Sequence, residues 1–411
     1  MSARPDIAAP PRIRRLSKAE FIALMGTIFA TVAFSIDAML PALPEIAEAL
    51  TPQDVTLAQL ILTSFILGMG LGTLFVGPIS DALGRKTVIL MGAALYLVGA
   101  GLALVAPTLE LLLAARLIQG LGAAGPRVVA LAMVRDLYSG RQMAQIVSYA
   151  MLIFTLFPAV APLIGAAVIA GFGWRAIFVA FILFSIVSVG WLTLRQPETL
   201  PPEARRPLQA TRILGDFREA LAHRQMQFSI VAQTLIFTAL FGSLSSIQQI
   251  FDITFGRSDS FPLWFALIAL LAAPAAPING TLVMRLGMRP MIRRALWLSA
   301  SAAFATAAFL WVFAAPGDGF AVFFLWSVTV FATAAFTIGN LNALALEPLG
   351  HIAGTAASLM GALATVGGAL GGALIGQFYD GTAAPVVLGV GIALSLAGLV
   401  MMRMPREAVD D

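Results

Sequence analysis

Few residues in this sequence have chemistry beyond packing. Asp37 is the one acid set deep in an apolar stretch. A charge at that depth costs about 2.5–3.5 kcal/mol on insertion scales, and ionisable groups kept there usually serve a pathway. Away from water a carboxylic acid favours its neutral form, so such a group can carry a proton. The alternative is a structural acid whose carboxylate reaches outward to water. A second group is Arg116, Gln119 and Arg127. At about 100° per residue, positions 116 and 127 return to nearly one helix face, with 119 close by. Arg116 lies at a depth comparable to that of Asp37 and is its expected partner. Arg127 either completes this polar stripe or reaches to the interface. Asp81 and Arg85, four apart, can pair across a turn, with Asp136 further along. This is proton binding and ion pairing rather than bond-making. H-E-x-x-H and G-x-S-x-G are both missing, and neither His223 nor His351 lies in a long apolar stretch. With no cysteine there is no thiolate site or disulfide. No enzyme activity, metal or cofactor is expected.

The elements that hold these residues follow from composition. Of 411 residues, 59% are hydrophobic and 11% charged, and the mean hydropathy is +0.92. Soluble domains carry about a quarter charged residues. The apolar stretches run to about twenty residues, the length that crosses a hydrocarbon core. They lie near 20–42, 56–77, 87–106, 109–132, 142–170 and 174–194, then 227–251, 261–283, 293–314, 319–345, 353–378 and 385–402. Pro107 supplies the break between the third and fourth. The first is longer than the apolar core of a signal peptide and carries Asp37, so it is read as a retained helix. An all-α membrane protein of twelve spans is expected.

With twelve alternating spans, the basic residues fall almost wholly on one side. They include Arg4, Arg12, Arg14, Arg15 and Lys18 before the first span, Arg85 and Lys86 after the second, Arg135 and Arg141 after the fourth, and Arg285, Arg289, Arg293 and Arg294 after the eighth. Arg195, Arg205, Arg206, Arg212, Arg218 and Arg224 sit in the central loop, and Arg403 and Arg406 at the end. Only Arg175 and Arg257 fall opposite. The positive-inside rule makes both termini cytoplasmic. The basic balance is thus a topology signal, and no nucleic-acid partner is expected. The division is an N-terminal segment 1–19, a bundle 20–194, a proline-rich loop 195–226, a second bundle 227–402 and a tail 403–411.

The halves resemble each other locally. Gly77-Pro-Ile-Ser-Asp81-Ala-Leu-Gly84-Arg85-Lys86 follows span two, and Gly280-Thr-Leu-Val-Met284-Arg-Leu-Gly287-Met-Arg289 follows span eight. Internal duplication around a midplane site is common among transporters. The first copy matches G-x-x-x-D-x-x-G-R-K, the loop signature of the major facilitator superfamily, which the chain resembles over its full length. That resemblance implies two pseudo-symmetric six-helix bundles rocking about a central cavity, with Asp81, Arg85 and Asp136 latching the cytoplasmic side. Met284 replaces the acid in the second copy, so a full latch is expected only in the first half.

Finer motifs resemble the drug:proton antiporters of the bicyclomycin/chloramphenicol-resistance branch. They are Asp37-Ala-Met-Leu-Pro41-Ala-Leu-Pro44, Arg116-Leu-Ile-Gln119-Gly120-Leu-Gly122 and the antiporter motif Pro158-Ala-Val-Ala-Pro162-Leu-Ile-Gly165. Val134–Tyr138, Trp174–Phe178 and Gly354–Ser358 are also similar to that branch. The resemblance implies an inner-membrane antiporter. Protons load Asp37 while a drug-like compound leaves the cytoplasm, and the chain works as a monomer in the lipid bilayer. Candidate substrate contacts are Gln119, Arg127, Thr234, Thr238, Phe241, Phe336 and Asn340, though packing or lipid-facing roles stay open for the phenylalanines. Export of an endogenous metabolite is the alternative, and a non-transporting sensor would need a soluble output domain larger than any polar segment here. Gly120-Leu-Gly122-Ala-Ala-Gly125 fits a dinucleotide fingerprint, but no strand precedes it. Those glycines, like Gly367, Gly368, Gly371, Gly372 and Gly376, suit close helix packing. Asn279-Gly280-Thr281 fits a glycosylation sequon on the cytoplasmic side, where it would go unused.

Overall fold

The computed structural model describes residues 16–205, 207–312 and 318–405. The side chain of Arg127 lies outside the described residues, as do Arg4, Arg12, Arg14, Arg15, Arg206 and Arg406. The described chain is helical, with no strand. The first half comprises α1 (Lys18–Asp37), the short α2 (Leu43–Leu50), α3 (Leu60–Leu83), α4 (Arg85–Leu104), α5 (Leu109–Leu137), α6 (Gly140–Phe172) and α7 (Ala176–Arg195). A connecting helix α8 (Ala210–Ala222) leads to α9 (Arg224–Gln249), α10 (Phe261–Ala272), α11 (Ala275–Leu286), α12 (Met288–Val312), α13 (Phe320–Leu346), α14 (Ala353–Gly376) and α15 (Ala384–Arg403).

Eleven helical runs are long and apolar enough to cross a membrane, and one, Phe320–Gly376, has 57 residues. At about 1.5 Å per residue that run far exceeds a single crossing. Non-helical backbone at Leu349 splits it into α13 and α14, so the crossings number twelve. α10 and α11 are one crossing, interrupted at Ala273 and Pro274. The sequence reading had kept that span whole, but proline lacks the N–H that continues a helix.

Local chemistry sets the ends. Ser17 caps α1 by accepting the Glu20 N–H at 3.2 Å, and Thr108 does the same for α5, satisfying amides that no helical carbonyl can reach. The turns after spans two and eight need the left-handed region, with φ of +101° at Gly84 and +80° at Gly287. That conformation favours glycine, and the two positions are the aligned glycines of the internal repeat.

One boundary differs from the reading. Span one was drawn to residue 42, with Asp37 more than a turn inside. α1 instead stops at Asp37, and a 3-10 turn Leu40–Ala42 leads into α2. Pro41 and Pro44 enforce this, because neither can donate to the preceding turn. Asp37 is still only 5% exposed, because α6 packs beside both α1 and this turn.

The two six-helix bundles meet along two seams, α3 with α14 and α6 with α10. α3 and α14 run antiparallel in a fixed register. Gln59 lies against Gly376, Gly70 against Thr365 and Val366, and Gly77 against the Ser358 hydroxyl. α10 is the half of span eight remote from the arginine-rich loops.

Candidate functional site

Asp37 and Arg116 define the interior of the first bundle. The carboxylate of Asp37 makes no hydrogen bond or ion pair among the described residues. The residue keeps 5% of its surface exposed, so the carboxyl sits in a nearly closed site with a narrow opening rather than sealed in the core. Against it lies α6. A methyl group at Gly165 would strike the Ala38 carbonyl, so glycine there lets the two helices touch backbone to backbone. Pro158 and Pro162 sit inside α6, where each removes a helical hydrogen bond. The antiporter motif therefore packs directly beside Asp37.

Arg116 is wholly buried. Its Nη2 donates to the Ser35 carbonyl at 2.9 Å and its Nη1 to Gln119 Oε1 at 2.7 Å. The guanidinium lies 4.4 Å from the Phe65 ring centroid and 5.7 Å from that of Phe181. Cation–π attraction gains strength when desolvated, which offsets the cost of burying a cation without a carboxylate. Ser35 Oγ donates to the Thr31 carbonyl at 2.7 Å, so the Tyr96 hydroxyl, 2.6 Å away, donates to Ser35. Sequence reasoning missed Tyr96, a lone polar tip on an otherwise apolar helix. The structure thus brings Arg116 to the turn of α1 that holds Asp37. In this conformation, however, Arg116 binds that turn's backbone and not the carboxylate.

The candidates of the second bundle separate into two groups. Thr234, Thr238 and Phe241 on α9 pack against Gly367, Gly371 and Gly372 of α14, so they serve the helix–helix seam here. Asn340 donates from Nδ2 to Asn279 Oδ1 at 2.9 Å, and Phe336, one turn earlier, is half-buried. Asn279 was read only as an unused sequon. Its contact with α13 was invisible without knowing which helices adjoin.

The loop signature closes on itself. Arg85 Nε donates to Asp136 Oδ2 at 3.0 Å, while Nη1 donates to Asp81 Oδ1 at 2.5 Å and to Ser80 Oγ at 2.8 Å. Glu198, which sequence reasoning missed, completes the assembly. Its carboxylate accepts the backbone N–H groups of Arg85 and Lys86 at 3.0 Å, and those of Thr199 and Leu200. This caps the start of α4, where amides and helix dipole favour a negative charge. Gly84 makes room, since a methyl there would lie 2.6 Å from Glu198 Oε2. Thr199 also donates to Asp136, and Lys86 Nζ to the carbonyls of Thr193 and Gln196. A cavity of about 300 Å³ lies beside this cluster, bounded across the seam by Gly354, Thr355 and Ser358. In the second copy, Arg289 reaches Gln225 and the carbonyls of Met404 and Pro405, and the exposed Met284 offers no acid.

Twelve crossings in two facing bundles, with a nearly buried carboxyl beside the seam of α1 and α6, are the architecture of a polytopic membrane transporter. The chain belongs to the Major Facilitator Superfamily, whose family model matches residues 24–372. It is 31% identical to a bicyclomycin resistance protein homolog of Haemophilus influenzae, covering 92% of this chain and 94% of that one. It is 31% identical to a chloramphenicol resistance protein of Pseudomonas aeruginosa, covering 94% and 90%. Among solved structures, the Escherichia coli xylose transporter in a partially occluded inward-open conformation superposes with a TM-score of 0.74 at 12% identity, covering 96% and 99%. At that identity the likeness concerns the fold alone.

Proposed function

We propose that this protein is a proton-coupled antiporter of the bacterial inner membrane, exporting drug-like compounds of the bicyclomycin or chloramphenicol kind by alternating access. The observation that carries the reading is Asp37. It is a carboxyl only 5% exposed, with no side-chain partner among the described residues, beside Gly165 of the antiporter motif and one turn from a buried arginine. The names of the two relatives support drug export, and the skewed distribution of arginines supports cytoplasmic termini. On this reading the loop cluster of Asp81, Arg85 and Asp136 is the cytoplasmic latch. Proton uptake at Asp37 and movement of Arg116 are then coupled, because a cation brought to the carboxylate favours release of its proton while apolar surroundings favour its retention. Phe336 and Asn340 are the candidate substrate contacts that lie away from the α9–α14 seam, and Gln119 positions Arg116. Arg127 stays a candidate from its place on α5.

The test is drug-driven proton release from purified protein, read with a pH dye, beside drug uptake into everted vesicles. Asp37→Asn should abolish both uphill transport and proton release while substrate binding persists. Proton release at the wild-type level from that variant would move the assignment to Asp81 and Asp136.

A further inference from the structure

Gln59 joins the two bundles by side-chain hydrogen bonds. Its Nε2 donates to Gln249 Oε1, and its Oε1 accepts from the Ser246 hydroxyl at 3.1 Å. All three residues are buried, at 2%, 7% and 0% exposure. Gln59 stands at the start of α3 and the other two at the end of α9, on the side remote from the arginine-rich loops. Gly376, closing α14, gives Gln59 its place, because a methyl there would collide with Oε1. Just outside lies a cavity of about 180 Å³ lined by Glu48, Gln248, Gln249 and Asp252, where water could take over the amide's hydrogen bonds.

We propose that Gln59 is the periplasmic gate residue, the counterpart on that face of the cytoplasmic latch. It holds the bundles closed by a two-bond bridge that must break before the transporter opens outward. The inference rests on the alternating-access reading and assigns the closure on that face to one side chain. Its physics is the difference between buried and hydrated amides. With the bundles closed, Gln249 and Ser246 have Gln59 as their partner, and an apolar replacement leaves them unsatisfied. With the bundles apart, water satisfies them whatever residue stands at 59. Removing the amide therefore destabilises the closed state alone.

The native chain has no cysteine, so spin labels can be placed cleanly at Ala49→Cys and Asp259→Cys, two exposed positions flanking the mouth on opposite bundles. The label–label distance distribution is measured in lipid nanodiscs, with transport assayed in parallel. Gln59→Leu should move the ratio of long to short distances about tenfold toward the open form, as expected for two lost bonds of ordinary strength. Ser246→Ala, losing one bond, should move it about three- to fivefold on the same scale. Gly376→Ala, whose methyl would collide with Gln59 Oε1 and displace the bridging amide while leaving all three polar side chains in the sequence, should widen the mouth as well. Unchanged distances in all folded variants would overturn the gate. If Gln59→Leu does not elute as a folded protein, Ser246→Ala and Gly376→Ala decide the question between them. A wild-type protein that transports neither drug nor protons would overturn the antiporter reading instead, and the distances would still judge the gate.

Discussion

An ionised acid is expensive to keep away from water, and Asp37 at the end of α1 is only 5% exposed. Replacing it with asparagine keeps the shape and fixes the neutral state. Asp37→Asn should therefore match or exceed wild type in thermal stability while losing proton coupling. Stability is followed by the unfolding midpoint in detergent, and a marked drop would show that the ionised acid holds the fold together. Arg116 behaves in the opposite way. Arg116→Ala strips the Ser35 carbonyl and Gln119 of their donor, and removes a cation held between Phe65 and Phe181. Losing one partner of a buried charged hydrogen bond costs about 1.5–3 kcal/mol, so a lower midpoint is expected. Both residues stood out in the sequence, because an ionisable group is costly to place in an apolar span. Their relation was not. Depth along two helices suggested an ion pair, whereas the side chain of Arg116 reaches a backbone carbonyl two residues short of the acid.

At the scale of elements, the proposed latch of Asp81, Arg85 and Asp136 is a cluster of unequal bonds. The side chain of Asp81 is 49% exposed and that of Asp136 is 16% exposed, while the side chain of Arg85, which pairs with both, is 10% exposed. Exposed pairs contribute about 0–1 kcal/mol, and a more buried carboxylate is screened less. Asp136→Asn should accordingly loosen the cytoplasmic face more than Asp81→Asn. The measure is the labelling rate of a cysteine placed at Thr355, which lines the cavity beside the cluster. Equal rates in both variants would contradict the ranking. Glu198→Gln weakens the cap on α4, and loss of a cap costs about 0.5–2 kcal/mol. It should raise labelling at the same cysteine, and an unchanged rate would reduce Glu198 to a passive cap. The spacing of Asp81 and Arg85 gave the first pair away, since residues four apart can meet across a tight turn. Glu198 gave no such signal, because its partners on α4 are backbone amides more than a hundred residues distant. The break of span eight lay in plain view at Pro274 and was missed because hydropathy continues across it.

At the scale of the molecule, twelve crossings and an arginine-rich face predict a topology. Reporter fusions at residue 210 and at the C-terminus should read cytoplasmic, and a fusion near Asp318 periplasmic. A periplasmic C-terminus would remove the basis for the proposed direction of transport. The seam between α3 and α14 belongs to this scale too. Gly70 faces Thr365 and Val366, and a methyl there would come within 2.8 Å of the valine side chain. Gly70→Leu should thus force the bundles apart and abolish transport in vesicles, whereas Gly101→Leu, at a glycine with open space around it, should be neutral. The glycines noted in the sequence mostly pack helices within one half, such as Gly368 and Gly372 against α9, whereas the role of Gly70 between the halves shows only in the assembled bundles.

The grip of Glu198 on the start of α4 changes how the chain can be divided. The residues from Gln196 to Leu200 come after the last helix of the first bundle, yet their bonds go to Arg85, Lys86 and Asp136. They belong to the first bundle's folding unit. Two co-expressed fragments cut after Arg205 would carry the cap with its own half and should reassemble into a working transporter. A cut after Arg195, only ten residues earlier, would hand Glu198 to the wrong partner as a loose leading end. The pair should then be recovered in lower yield, and drug resistance in the host cell would report the difference directly.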